Sequence, residues 1–485
     1  MQLCLGQTGL TRDDLAKNMT FRRTWPWVLA AILVIAGTGA VRWFLPVIRV
    51  GPAVVAKTLC SSVFVSQRDQ AEVEAEDLAE GPYRKSWLFG RNVNLDAKYV
   101  TASLLGFFRQ TAIYREGLGC TLLHGRKEEE VRAQIIGAAP MPASNPELLW
   151  PEGERVDTSP IDRGVDRAKL EEGLEKAFTE PDAKNLRHTR ALVVVHHRRI
   201  VAERYAPRFD ANTPLTGWSM AKTVTNALIG LRVRDGKIST ADQALLPEWQ
   251  NDRRRQITLS QLLCMTSGLK FNENYDSRSS DIRRMLFIED DKSGFAAAKP
   301  LQYPPSETWS YSSGTTNILA RILRQSFSSE TDYLRFPRER LFGPIGMQSA
   351  VFELDASGIF VGSSYVYASA RDWARLGLFY LQDGVWRGKR LLPEGWVADS
   401  VEPTCGAPFT QYGWQIWLKV DESPGLGEPP FPDDAYYMQG HDGQVVAIVP
   451  SLDLVIVRLG FSPEKGAWDH ARDLAPILEA FSKRT

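Results

Sequence analysis

Cysteine is scarce, charge is balanced, and neither a long basic run nor an internal repeat occurs. Five cysteines in 485 residues are too few for a disulfide scaffold. Cys4, Cys60, Cys120, Cys264 and Cys405 form no C-x-x-C pair and no Cys/His cluster with ligand spacing, so neither a structural zinc site nor any other metal or cofactor is expected. Lys+Arg number 58 and Asp+Glu 58, a net charge of zero, and the absence of a basic stripe argues against a nucleic-acid partner. What is present is an ordinary globular composition, 44% apolar and 24% charged, which excludes disorder and a polytopic membrane protein. His196-His197 is the one metal-like pair, and it reads as a hairpin end because strand neighbours point to opposite faces.

One long hydrophobic run exists. Trp25 to Leu45 is apolar or small apart from Arg42, long enough at about 1.5 Å per residue to cross a bilayer core, with tryptophans at both ends. Arg12, Lys17, Arg22 and Arg23 lie upstream and Arg42, Arg49 and Lys57 downstream. The expectation is a cytoplasmic tail over 1–24, a transmembrane anchor over 25–45, and a body exported to the periplasmic or extracellular face. A signal peptide cleaved after Thr38-Gly39-Ala40 is the alternative. An exported body permits a Cys60–Cys120 disulfide, whereas Cys264, in the apolar stretch Gln261 to Thr266, reads as a buried thiol.

Residues 51–139 form an accessory segment without a chemical motif, strand-like at Ser62-Val-Phe-Val and regular near Val100 to Thr111. Pro140, Pro142, Pro146, Pro151 and Pro160 block helix and central strand, so 140–160 reads as a linker or an extended wrap. From 161 to 485 the pattern is richer. Leu170, Leu174 and Phe178 give Arg167 to Phe178 an apolar helix face, and Ala191 to Tyr205 reads as two strands around a polar turn. Thr223 to Leu341 is mostly helical in pattern. Tyr412 to Val420, Ala435 to Met438, Gln444 to Val449 and Leu452 to Leu459 are strand-like, and Trp468 to Phe481 is helical. Strands at both ends with helices inserted between them predict an α+β fold: one antiparallel sheet assembled from distant sequence, flanked by helices, with a cleft at their junction.

Three short stretches carry chemistry. Gly217-Trp218-Ser219-Met220-Ala221-Lys222 opens an apolar helical run, which puts the Lys222 amine and the Ser219 hydroxyl on one face, with free helix N–H groups beside them for an oxyanion. Tyr311-Ser312-Ser313-Gly314 opens a second helix, and Gly440-His441-Asp442-Gly443-Gln444 is a glycine-flanked turn before a strand. A Ser-His-Asp triad through His441 and Asp442 is disfavoured, because no G-x-S-x-G elbow surrounds Ser219 and neighbours on an extended segment diverge.

In this order the motifs resemble the serine β-lactamase-related hydrolases, the class C β-lactamase, penicillin-binding-protein and esterase group, and look closest to the 6-aminohexanoate-dimer hydrolase branch. The resemblance covers roughly residues 160–485 and implies a β-lactamase/transpeptidase-like fold with an inserted, mostly helical subdomain. It implies Ser219 as the acyl-forming nucleophile, Lys222 as its proton partner, Tyr311 as second base or acid, and the backbone N–H groups of Ser219 and Gln444 as the oxyanion hole. Trp218, Tyr275, Ser313, His441 and Gly443 are expected to line the substrate, and Asp281, in a stretch resembling that branch's pocket loop, to meet a substrate amine. For a lysine to act as base near neutral pH its pKa must fall to about 7–8.

The chain departs from the penicillin-binding pattern where Lys-Thr-Gly is replaced by His441-Asp442-Gly443 and a motif Asn by Ser313. A fixed cation for a substrate carboxylate is missing. The expected partner is a small ester or linear amide, the alternatives being a penicillin-recognising or peptidoglycan-binding protein with little turnover, a β-lactamase, or a D-Ala-D-Ala carboxypeptidase.

Overall fold

The computed structural model describes residues 48–80, 85–135, 137, 145–160, 164–277, 279–403, 411–420 and 431–481. The expected tail and membrane anchor over 1–45 lie outside the described residues, and among those that are described no helix is long and apolar enough to cross a membrane.

The chain enters through helix α1 (48–64) and a four-stranded antiparallel meander, β1 (Phe89–Asn94), β2 (Tyr99–Leu104), β3 (Phe107–Arg115) and β4 (Gly119–Leu123). Ser62 to Phe64, read as strand, are the last turn of α1; their apolar side chains fit a helix packed on the core as well as a strand, and periodicity over four residues cannot separate the two.

Within residues 161–485 one sheet joins strands from both ends of the region, as the strand pattern predicts. Helix α2 (Arg167–Phe178) precedes the hairpin of β5 (Thr189–His196) and β6 (Arg199–Tyr205). After the helical middle, which includes α3 (Ala221–Arg234), α4 (Ser313–Gln325) and α5 (Ala370–Leu381), come β7 (Tyr436–Gly440), β8 (Gln444–Val449), β9 (Leu454–Gly460) and α6 (His470–Leu478). The five strands pair antiparallel in the order β7-β8-β9-β5-β6. Every residue of β8 and β9 is buried, because helices cover both faces. Val193, Val195, Val446 and Val455 join the core containing α5, while Val194, Val445 and Ile456 join that of α2 and α6. A Cβ on Gly377 of α5 would stand 2.6 Å from Val455, so this glycine lets the helix lie directly on the sheet. Tyr412 to Val420 is not a strand; Tyr412 and Trp417 make isolated bridges only.

His196 ends β5 and His197 turns at φ 48°, so the pair is the hairpin end, with the His197 Nδ1 2.7 Å from Asp453. Residues 149–155 lie against α5: the buried Arg375 donates to the carbonyls of Pro151 (3.0 Å) and Gly153 (2.7 Å).

The accessory segment shares one hydrophobic core with the catalytic region. At the seam stands Glu353, wholly buried, accepting from Lys57 Nζ, from Ser61 Oγ at 2.9 Å and from the Cys120 backbone N–H at 2.7 Å. Burial lowers the Lys57 pKa against the attraction of Glu353. Cys60 of α1 and Cys120 of β4 form a disulfide with Cα atoms 6.0 Å apart. Cys264 is buried yet disulfide-bonded, which overturns its reading as a free thiol; an apolar neighbourhood suits either state of a cysteine. Glu353→Ala leaves Lys57 buried without its counter-ion and should cost about 3–5 kcal/mol, read as a lower denaturant midpoint.

Candidate active site

Ser219 sits in a tight turn, Trp218–Met220, that feeds α3. Close packing sets this turn: a Cβ on Gly217 would lie 2.2 Å from Trp373, and one on Gly440 would lie 2.2 Å from the Gly217 carbonyl oxygen. The end of β7 therefore rests on the Ser219 turn, and Gly440 pairs with Gln444 across the hairpin. The segments carrying the two expected oxyanion donors, Ser219 and Gln444, thus meet. Trp218 has φ 46°, a left-handed conformation that costs a bulky residue on the order of 1–3 kcal/mol and is concentrated at functional sites.

Lys222 is the second residue of α3, one turn beyond Ser219 and 1% exposed, and its Nζ has three acceptors: Ser219 Oγ at 2.9 Å, Ser313 Oγ at 3.1 Å and the Ser363 carbonyl at 3.1 Å. Three acceptors satisfy the three N–H bonds of an ammonium. Burial nevertheless pulls its pKa down to about 8, with Glu273 acting in the opposite direction. Ser313, the first residue of α4 behind the capping Ser312, donates from Oγ to Glu273 Oε1 at 2.6 Å and from its backbone N–H to Oε2 at 2.9 Å. Burial pushes the Glu273 carboxyl above the usual range while Lys222 pulls it back. The Lys222 Nζ also stands 4.8 Å from the centre of the Tyr311 ring, which packs among Trp309, Tyr412 and Trp417.

The family described as Beta-lactamase matches residues 174–475, more than half of the chain. The chain belongs to the Beta-lactamase family. It is 22% identical over 322 residues, 61% of this chain and 76% of the relative, to the 6-aminohexanoate-dimer hydrolase of Paenarthrobacter ureafaciens. Among solved structures it resembles a family VIII carboxylesterase (TM-score 0.50, 14% identity, 66% of this chain and 97% of that one). A putative 6-aminohexanoate-dimer hydrolase from Bacillus anthracis aligns at TM-score 0.47 and 24% identity over 64% of this chain and 80% of that one.

Within this Beta-lactamase-family frame, the third motif is held from behind. Buried Arg458 donates to the carbonyls of Asp442 (3.1 Å) and Gly443 (2.9 Å), and burial brings its pKa down to about 9. Gly443 has φ 81° and a Cβ there would lie 2.5 Å from Arg458, so glycine is required by the turn and by the support beneath it. The Gln444 side chain is occupied with Gly460, accepting from its N–H at 2.9 Å. His441 does not diverge from Asp442, because Asp442 is left-handed at φ 59° rather than extended; Nε2 stands 3.3 Å from its Oδ1. The hydrogen bond found at Ser219 Oγ is that from Lys222. The His441 ring stacks on Tyr275 at 4.9 Å and meets Trp218 edge-on at 5.8 Å, so these three expected lining residues form one aromatic cluster beside the Ser219 turn.

Asp281 lies near enough to Glu273 for its charge to raise that carboxyl's pKa, and it is already paired. It begins a short helix and accepts from Lys299 Nζ at 2.5 Å and the Asn272 N–H at 2.9 Å, which holds the loop. The loop carboxylate that reaches the Ser219–Lys222–Ser313 cluster is Glu273, to which sequence reasoning gave no role: no spacing links it to Ser313, and only the fold brings them together. Among the described residues no group of three His, Cys, Asp or Glu side chains is placed to hold a metal.

Proposed function

We propose that the protein is a serine hydrolase that cleaves an ester or linear amide bond through an acyl-enzyme on Ser219. The observation that carries this reading is the 2.9 Å contact between the Ser219 hydroxyl and a buried lysine whose pKa is lowered to about 8. Neutral Lys222 accepts the Ser219 proton as the oxygen attacks the carbonyl. The N–H groups of Ser219 and Gln444 receive the oxyanion. As the tetrahedral intermediate collapses, the bond to the leaving group breaks and the proton passes to the departing oxygen or nitrogen, with Tyr311 as its donor. Water repeats the sequence in reverse, releasing the acid and restoring the serine. Ser313 and Glu273 hold Lys222 in place throughout. The relative that acts on an aminohexanoate dimer supports a linear amide, and the missing third-motif lysine argues against β-lactams.

The pH profile tests the lysine assignment. kcat/KM for a 4-nitrophenyl ester should rise with pH through an inflection near 8, where Lys222 loses its proton. Glu273 stabilises the ammonium, so Glu273→Gln should move the inflection to lower pH. A profile flat from about pH 6 to 9 removes Lys222 as the base.

We further propose that the body is exported and anchored by residues 25–45. The Cys60–Cys120 disulfide supports an oxidising compartment. Recovery of the full chain in the soluble cytoplasmic fraction with both thiols alkylatable would refute it.

A further inference from the structure

The segment outside the family match does more than pack. A chamber of about 740 Å³, within the range of small-molecule pockets, lies between helix α1 and the aromatic cluster beside Ser219. One wall is built by Val50, Val54 and Phe89 of the accessory segment, the other by Trp218, Tyr275 and His441. Trp218 directly precedes Ser219, and His441 opens the turn that ends at Gln444, so two residues of the inner wall are chain neighbours of the proposed acylation site. Gly51 is part of the same wall: the Phe89 ring would lie 2.5 Å from a Cβ there, which brings β1 tight against α1. The exposed Lys85, Asp276 and Lys465 stand at the rim, with both signs of charge represented. The accessory wall is held to residues 161–485 by buried Glu353, which accepts from Lys57 and the Cys120 N–H, while the Cys60–Cys120 disulfide ties α1 to β4 within the segment.

We infer that the accessory segment is a specificity-determining half of the substrate site, and that this chamber takes an apolar arm of the ester or amide, an alkyl or aryl chain. This inference rests on the Ser219 hydrolase reading and deepens it. Two features point to an uncharged arm: the accessory wall is mainly aliphatic and aromatic, and the charged lining, Lys85, Arg283 and Lys465 against Asp276, Asp442 and Glu464, is balanced in sign and selects no ionic head. Each methylene buried there should raise kcat/KM roughly fourfold until the chamber is full.

The test uses the full-length protein, with active enzyme counted by fluorophosphonate labelling of Ser219. Acyl length is varied in 4-nitrophenyl esters from acetate to decanoate and alcohol length in n-alkyl acetates. In one of the two series kcat/KM should climb with length. Val54→Phe, which fills the chamber, should lower the octyl-to-ethyl ratio in that series at least tenfold, and Phe89→Ala, which widens it, should shift the optimum to longer chains. Length profiles that coincide in wild type and both variants, with Ser219 still labelled and acetate still hydrolysed, overturn the chamber assignment while leaving the hydrolase reading intact. Loss of labelling and of all ester turnover in the wild type overturns the hydrolase reading and this inference with it.

Discussion

Ser219→Ala should remove covalent labelling by a fluorophosphonate altogether and lower kcat/KM for the best ester by on the order of 10⁴-fold or more, with the fold unchanged. The expectation follows from the geometry of one hydroxyl. Ser219 is half-buried on a turn whose shape is set by Gly217, Trp373 and Gly440, none of which depends on the hydroxyl itself. The variant therefore loses the nucleophile and one hydrogen bond to Lys222, which keeps acceptors at Ser313 and Ser363. Groups that act as a unit fail together, and what remains is the rate supplied by binding and oxyanion donors alone. Thermal midpoints of the two proteins should agree to within a few degrees, since a single hydrogen bond contributes about 1 kcal/mol. Labelling that persists in the alanine variant places the nucleophile elsewhere and ends the assignment.

Lys222→Met should be nearly as damaging to catalysis, about 10²–10⁴-fold in kcat/KM, and unlike Ser219→Ala it should also destabilise. The lysine is enclosed by protein, and its charge is balanced by Glu273 through the Ser313 hydroxyl. Methionine fills the volume but leaves a carboxylate in a site that already resists ionisation. Adding Glu273→Gln to Lys222→Met removes the uncompensated charge. The double variant should recover part of the lost denaturation midpoint and none of the activity. That split would separate the two jobs proposed for the cluster, proton transfer by Lys222 and its positioning by Glu273 with Ser313. Recovery of activity in the double variant would show that charge balance, rather than the amine, was the requirement.

Much of the site was legible because its spacing is local. Ser219 and Lys222 are one helical turn apart, so any helix starting near 218 brings them together, and they meet at 2.9 Å. Ser312 and Ser313 opened a helix as their pattern predicted, and the sheet closed from strands at both ends of the catalytic region because their apolar runs needed partners on both faces. Glu273 was not legible as a partner of Ser313, since forty residues and two short helices separate them and nothing in either stretch names the other. His441 and Asp442 were expected to diverge on an extended segment; the left-handed Asp442 brings their side chains together, and a backbone dihedral at a non-glycine position leaves little trace in sequence. Asp281, the acidic residue expected to meet a substrate amine, pairs with Lys299 and the Asn272 N–H within charge reach of Glu273.

By itself the amino-acid sequence determined what periodicity and short-range spacing can encode: an α+β chain, a serine and a lysine on one helix face, a tyrosine-led helix, and a glycine-flanked turn before a buried strand. Only the tertiary structure decided which distant groups surround that lysine, how far its ammonium is desolvated, and that residues 48–123 share a hydrophobic core with the residues that follow rather than forming an appendage. The reason is physical. Helix and strand patterns are written in neighbouring residues, whereas burial, electric field and cavity shape are set by side chains that adjoin only after the chain has folded.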